Sequence, residues 1–288
     1  MADGNSLVNL GDLSKPATVL IEKVSSAVGI IYEPYHVKRM ARAEAEAEKI
    51  KALARIELTE LEHRAVDRFV QQEARKQENI EQITAQAAAS LPHDAKVENL
   101  DEDWVAHFFK QCDTVSDTEM QSLWSRLLSG EATNPGTFSK RTVDFVSSMD
   151  RKDAALFTNF CQFVWLIGEP APLIYETQNE IYTKQGINFS ALKHLDSIGL
   201  ISFESVSGYN RTGFGKYAHV FYYGQPTAIE FSGDASNQLQ VGHVLLTSIG
   251  KELTPICGSS RNRDFYEYVI RKWFQDGLIL SSIAIQRP

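Results

Sequence analysis

A run of one hundred residues without glycine dominates the first half of this chain. Residues 30–129 contain no glycine, and Pro34 and Pro92 are the only prolines among them. Between positions 35 and 91 most residues are alanine, glutamate, lysine, arginine, leucine or glutamine, which have high helix propensity. Because nothing in that segment interrupts a helix, the sequence predicts a long helical arm over residues 35–91.

Apolar side chains form a stripe along the predicted arm. They recur with a period of eleven residues, at positions 47, 58, 69, 80 and 91, which favours a nearly straight stripe over the seam of a left-handed coiled coil. One interpretation is a solvated, charge-rich helix face. The other is that the stripe joins copies of the chain into a homo-oligomer. The residues of this candidate stripe are Ala47, Ile50, Leu58, Leu61, Phe69 and Ile80.

The N-terminal segment, residues 1–34, is expected to hold a short amphipathic helix. It lacks the basic stretch and apolar run of a secretory signal. The three cysteines of the whole chain form no CxxC pair, which fits a reducing compartment. We therefore predict a cytoplasmic protein. Residues 17–33 are too short and too charged to span a membrane. Their apolar members share one face, which predicts a core-facing helix. The alternative is a helix that lies on the inner membrane or docks a partner.

A compact helical block is predicted over residues 92–150. Asp101 precedes an amphipathic helix, where an acidic residue complements the helix dipole. The sequence from Ser116 to Glu119 matches a capping box and predicts the start of a second helix. Thr137 or Ser139 is expected to start a third helix.

The remaining residues, 151–288, predict a separate winged-helix-like domain. Three helices come first, then β-rich stretches separated by glycines, and then closing helices. The predicted helices span Asp153–Ile167, Ile174–Gln185 and Phe189–Ile198, and the glycine-rich stretch Gly208–Gly215 is expected to be the wing loop. The predicted fold class is therefore mainly α (α+β), with a long N-terminal helical arm, a helical middle block and a C-terminal winged-helix-like domain with a small antiparallel sheet.

Charge argues against a protein that coats nucleic acid. The net charge is −8 and the isoelectric point about 5.4. A winged helix would read DNA with its third helix and its wing, and those segments offer only a few basic side chains. The candidate nucleic-acid contacts are Lys193, His194, Arg211 and Lys216.

The sequence shows no catalytic, metal or cofactor motif. There is no GxSxG element, and the seven histidines are scattered without an HxH or HExxH spacing. We therefore predict a protein that is not an enzyme, with no catalytic residue, no metal site and no cofactor.

Several longer phrases resemble a known family. The stretches AEAEAEKIKALARIELTELEHRA, DTEMQSLWSRLLSGEA, NPGTFSKRTV and LKHLDSIGLISFES together resemble a bacterial family, domain of unknown function 2806, across nearly the whole chain. That resemblance implies a fold and a bacterial origin, and it carries over no chemistry. The order of these phrases is also similar, more distantly, to the abortive-infection alpha proteins of phage defence, which implies a role against phage.

Three functions follow as expectations. The leading one is a non-enzymatic interaction or effector protein, plausible in phage defence, that oligomerises through its helical arm and binds an unknown protein partner. The second is a winged-helix DNA-binding regulator. The third is an effector that acts on a membrane surface through residues 17–33.

Overall fold

A computed structural model describes residues 14–29 and 59–282 of the chain. The chain divides into two compact units, Met1–Ser147 and Ser148–Pro288. The first is helical, and the second combines helices with antiparallel strands. The predicted α+β class is confirmed.

The described part of the first unit consists of helices. Its α-helices are α1 (Lys15–Val28), α2 (Glu60–Ser90), α3 (Glu102–Cys112), α4 (Thr118–Thr133) and α5 (Lys140–Ser147), with a 3-10 turn at Val97–Asn99. Asp101 caps α3, and Ser139 accepts a hydrogen bond from the Thr142 N–H at the start of α5, as predicted. The cap of α4 is Asp117, because its carboxylate accepts from the backbone of Glu119 and Met120, so the predicted start at Ser116 is one residue early.

An aromatic cluster fills the core of this unit. Phe108 stacks on Trp104 at 5.2 Å between ring centres and meets Trp124 edge-on at 5.1 Å. The apolar face of α1 packs against α2 and α3, with Leu20 and Val24 fully buried. This burial agrees with the core-facing interpretation of the N-terminal helix.

Helix α2 has a defined beginning. The Glu62 carboxylate accepts a hydrogen bond of 2.7 Å from the Thr59 N–H, and the Thr59 hydroxyl accepts one from the Glu62 N–H. Thr59 is itself extended, with ψ at 159°, so the helix does not continue back through it. The predicted arm over residues 35–91 is therefore not one continuous helix, and its residues 35–58 lie outside the described residues.

The second unit contains nine described strands and five α-helices. The helices are α6 (Arg151–Cys161), α7 (Glu180–Thr183), α8 (Phe189–Ser197), α9 (Ser248–Leu253) and α10 (Arg263–Gln275). The strands are β1 (Val164–Ile167), β2 (Glu169–Pro172), β3 (Ile201–Phe203), β4 (Tyr209–Phe214), β5 (Tyr217–Tyr222), β6 (Gln225–Glu230), β7 (Asn237–Gly242), β8 (Val244–Leu246) and β9 (Ile279–Ser282).

Five strands form an antiparallel sheet in the order β2-β1-β5-β6-β9, and β3-β8 and β4-β7 form two smaller pairs. Helix α10 covers one face of the larger sheet. Trp165 stacks on Tyr222 at 5.0 Å and on Tyr266 of α10 at 5.6 Å, and Trp273 meets it edge-on at 4.9 Å. The core of the second unit therefore lies between this sheet and α10.

Three sequence predictions for this unit are wrong. The helix predicted over Asp153–Ile167 ends at Cys161, because the residues after it form β1. The helix predicted over Ile174–Gln185 shrinks to the single turn of α7. The predicted wing loop Gly208–Gly215 contains strand β4. Strand pairing outweighs the local pattern in β1, which pairs with the adjacent β2 and with β5, and in β4, which pairs with β7.

Candidate functional site

The two candidate nucleic-acid contacts on α8 face carboxylates. Lys193 Nζ lies 3.3 Å from the Asp196 carboxylate one turn further along the helix. His194 Nε2 lies 2.6 Å from Asp153 Oδ1 of α6. A phosphate group that approached α8 would have to compete with both carboxylates.

The two candidates outside α8 are paired as well. Arg211 of β4 donates to the Glu169 carboxylate on β2, and Lys251 binds the same carboxylate. These partners, Lys251 first and then Arg211, lower the pKa of Glu169. Lys216 Nζ lies 3.5 Å from an Asp234 carboxylate oxygen.

These four side chains do not form one basic surface. The structure distributes them over α8, β4 and the residue before β5, each beside at least one acidic group. Phosphate contacts supply most of the affinity of a nucleic-acid-binding protein, and they require cations free to meet the backbone. A phosphate group would compete with an acidic neighbour at each of these four side chains.

The described residues form neither a cluster of metal ligands nor a membrane-spanning helix. Within residues 14–29 and 59–282, no three histidine, cysteine or acidic side chains lie close enough together to hold a metal ion. None of the helices in these ranges is long and apolar enough to cross a bilayer. The alternative that residues 17–33 bind a membrane depends on the apolar face of α1. That face is buried in the first unit.

The exposed apolar residues of α2 are the strongest candidate interaction site. Of the predicted stripe, Ala47, Ile50 and Leu58 lie outside the described residues, and Ile80 is half-buried. Leu61 is 69% exposed and Phe69 is 61% exposed. The sequence analysis missed Val70, which is 40% exposed beside Phe69. We call Leu61, Val66, Phe69 and Val70 the free α2 surface.

The free α2 surface continues a face that is buried further along the helix. Phe69 and Ala87 are eighteen residues apart, which is about five helical turns, so they lie on the same side of α2. Ala87 is 0% exposed because it packs inside the unit, while Phe69 is in solvent. Leu61 and Asn79 are also eighteen residues apart and lie on the same side of α2, and Asn79 is buried whereas Leu61 is exposed.

Charged side chains of both signs flank this surface, and ion pairs within the chain join Glu60 to Arg64 and Lys76 to Glu73 and Asp113. Glu60 and Glu62 occupy the first turn of α2, while Arg75 and Lys76 follow the apolar residues about four turns later. Hydrogen bonds from Thr59, first from its N–H and then from its hydroxyl, lower the pKa of Glu62. The Glu62 carboxylate is therefore charged at neutral pH.

Comparison with known proteins identifies a family. No curated protein and no solved structure matches the chain. The family model described as "Protein of unknown function (DUF2806)" matches residues 63–270, which include most of α2 and nearly all of the second unit up to α10. Because this match covers well over half of the chain, the protein belongs to the DUF2806 family.

Proposed function

We propose that this protein is a non-enzymatic interaction protein that assembles with copies of itself through the free α2 surface. One observation carries the proposal: large apolar side chains stand in water on the same side of α2 that is buried in the first unit. Phe69 and Leu61 are each more than half exposed. Clustered exposed apolar side chains are typical of interaction surfaces.

The charges of α2 favour a second copy as the occupant. If two copies of α2 pack antiparallel about Phe69, the acidic first turn of each lies beside the basic stretch of the other. Glu62 would then face Arg75 of the second copy, whereas Glu60 and Lys76 already form ion pairs within their own chain. Opposite charges at the edge of an apolar contact favour one orientation over the others, and antiparallel helices also align their dipoles favourably.

Replacement of Phe69 by glutamate tests this assembly. The substitution puts a charge at the centre of the surface, so we expect the full chain to become a monomer of 32.3 kDa in size-exclusion chromatography with light scattering. Gln71→Glu is the matched control, because it adds the same charge on the opposite side of α2 and should leave the assembly unchanged. A wild-type chain that is monomeric at micromolar concentration would overturn the proposal.

A winged-helix-like arrangement of the second unit is also part of the proposal. Its support is the order α8, β3, β8 and α9, with β3 antiparallel to β8 through the Ile201–Leu246 pair. The pair β4-β7, inserted between β3 and β8, would then take the place of the wing. Because Lys193, His194, Arg211 and Lys216 each lie beside an acidic side chain, we assign this unit to protein contacts rather than to reading DNA. Duplex DNA binding at low salt that Lys193→Ala and Arg211→Ala weaken would refute that assignment.

We propose cytoplasmic phage defence as the setting of this assembly. Its support is the similarity in the order of sequence phrases to abortive-infection alpha proteins. Bacteria that express the chain should give fewer plaques than bacteria that lack it, and the Phe69→Glu variant should lose the protection. Equal plaque counts across a panel of phages would remove this setting without affecting the assembly proposal.

A further inference from the structure

A groove of about 500 Å³ opens on the second unit beside the larger sheet. Its floor comes from neighbouring strands and includes Leu166 of β1, Pro170 of β2 and Phe221 of β5. Cys161 and Pro255 lie at its walls. We call this feature the sheet groove.

Strand register makes the floor a continuous apolar platform. Leu166 is the direct cross-strand partner of both Pro170 and Phe221, and directly paired residues project from the same face of a sheet. Leu166 is 44% exposed and Phe221 is 39% exposed. This is the face opposite Trp165, which packs against α10, because alternate residues of a strand point to opposite faces.

A tight hairpin turn closes one end of the groove. Tyr223 has φ at +47° and is followed by Gly224 at +78° in the two-residue loop between β5 and β6. Positive φ at both loop residues is the turn geometry that matches the twist of the paired strands. Here the Tyr223 hydroxyl donates to the Cys161 carbonyl oxygen over 3.2 Å. The ring is thereby held at the groove, where it is 43% exposed.

The chemistry of the lining defines the ligand class. None of the side chains that line the groove carries a formal charge at neutral pH, and most are aliphatic or aromatic. The polar groups include the hydroxyls of Tyr223 and Ser259 at one side, and burial raises the pKa of Tyr223 to about 12, so its hydroxyl keeps its proton. A volume of this size is within the range of small-molecule sites.

We propose that the sheet groove is a binding site for an uncharged, flat aromatic small molecule, which packs on Leu166 and Phe221 and against the Tyr223 ring. A charged ligand would find no ion-pair partner among the lining side chains and would lose hydration. A flat ring system matches the platform of a sheet face, and an edge polar atom would meet the two hydroxyls.

Fluorescence titration of the full chain with N-phenyl-1-naphthylamine, an uncharged aromatic probe, tests this site. We expect saturable binding at one site per chain, and at least tenfold weaker binding to Phe221→Ser. Leu166→Gln is a second groove variant in case Phe221→Ser does not fold. Phe274→Ser is the matched control, because Phe274 is 72% exposed on α10 and outside the groove lining, and its affinity should be unchanged.

Two comparisons complete the design. The sulfonated probe 8-anilinonaphthalene-1-sulfonate carries a negative charge on the same ring scaffold and should bind more weakly. The Phe69→Glu variant should bind the neutral probe as the wild type does, which separates this site from the free α2 surface. The proposal would be overturned if the wild type showed no saturable binding, if both groove variants bound the neutral probe as tightly as the wild type, or if the sulfonate bound more tightly than the neutral probe. So would a fall in molecular mass caused by Phe221→Ser, because it would show a second copy in the groove.

Discussion

Asn79 lies where α2 passes from solvent into the first unit, and its replacement by alanine should destabilise that unit. The residue is 3% exposed. Its Nδ2 donates to the Asp113 carbonyl oxygen over 2.8 Å. Its Oδ1 accepts from Ser116 Oγ at 3.3 Å and from Gln121 Nε2 at 3.2 Å. One side chain thus connects α2 to the loop between α3 and α4 and to α4 itself.

The expected loss follows from these three bonds. The Asp113 carbonyl loses its partner, which costs about 2 kcal/mol for a partly buried group. Ser116 can turn toward water and Gln121 keeps its 2.9 Å bond to the Val115 carbonyl oxygen, so each adds only about 0.5 kcal/mol. Alanine regains about 0.5 kcal/mol through its higher helix propensity. The net destabilisation of Asn79→Ala is therefore about 2.5 kcal/mol, or about a seventyfold shift in the unfolding equilibrium.

Hydrogen–deuterium exchange of the full chain measures this loss in the first unit alone. Peptides from α2 and α4 should exchange about seventy times faster in Asn79→Ala where their exchange reports unfolding of the unit, while peptides from the second unit serve as the internal reference. Gln86→Ala is the control, because Gln86 is exposed on the same half of α2 and should change exchange little. If exchange in α2 and α4 were accelerated equally by Asn79→Ala and Gln86→Ala, the Asn79 hydrogen bonds would contribute no net stability.

Two further predictions concern the second unit. Gly242→Ala should prevent the second unit from folding, because a Cβ at this position would lie 2.0 Å from the Ile174 carbonyl oxygen. Gly213 has a similar positive φ but open space around it, so Gly213→Ala should cost only about 1–2 kcal/mol of strain. Circular dichroism and proteolysis of both variants distinguish them, and similar stability would contradict the clash. Because Lys251 and Arg211 lower the pKa of Glu169, its ion pairs stabilise the fold above the ordinary carboxyl pKa and are lost as the pH falls through the lowered value. Denaturant midpoints should therefore fall less between pH 5 and pH 3 in Glu169→Gln than in the wild type, and parallel curves would contradict this.

The sequence could predict features that depend on neighbouring residues. Asp101 and Ser139 are predicted at helix starts, and their side chains accept hydrogen bonds from backbone N–H groups two to three residues later. A cap needs only a short polar side chain followed by a helical segment, so its signal is local. The exposed stripe residues Leu61 and Phe69 were found for the same reason, through spacing along one helix.

Features made by distant residues were not predictable in this way. The run that becomes β1 follows α6 without a break, and a short apolar run does not distinguish a strand from a buried helix. Strand β1 pairs with the adjacent β2 and also with Phe221, which is more than fifty residues further along the chain. The ion pair between Arg211 and Glu169 joins residues 42 apart, so Arg211 was expected to be free for nucleic acid. The sheet groove depends on the same register and had no sequence signal.

Exposure of the first half of α2 raises the question of what keeps it helical. In most proteins, burial of an apolar face stabilises a helix more than propensity does, yet residues 60–75 bury almost nothing in the first unit. The packed half from Asn79 onward supplies the nucleus, and the Thr59–Glu62 capping box satisfies the N–H groups at the other end. These contributions permit a helix but leave Phe69 in water at a cost in free energy. A second copy that covers Phe69 would remove that cost, and this is why we place the assembly interface on the exposed half of α2 rather than on its charged side.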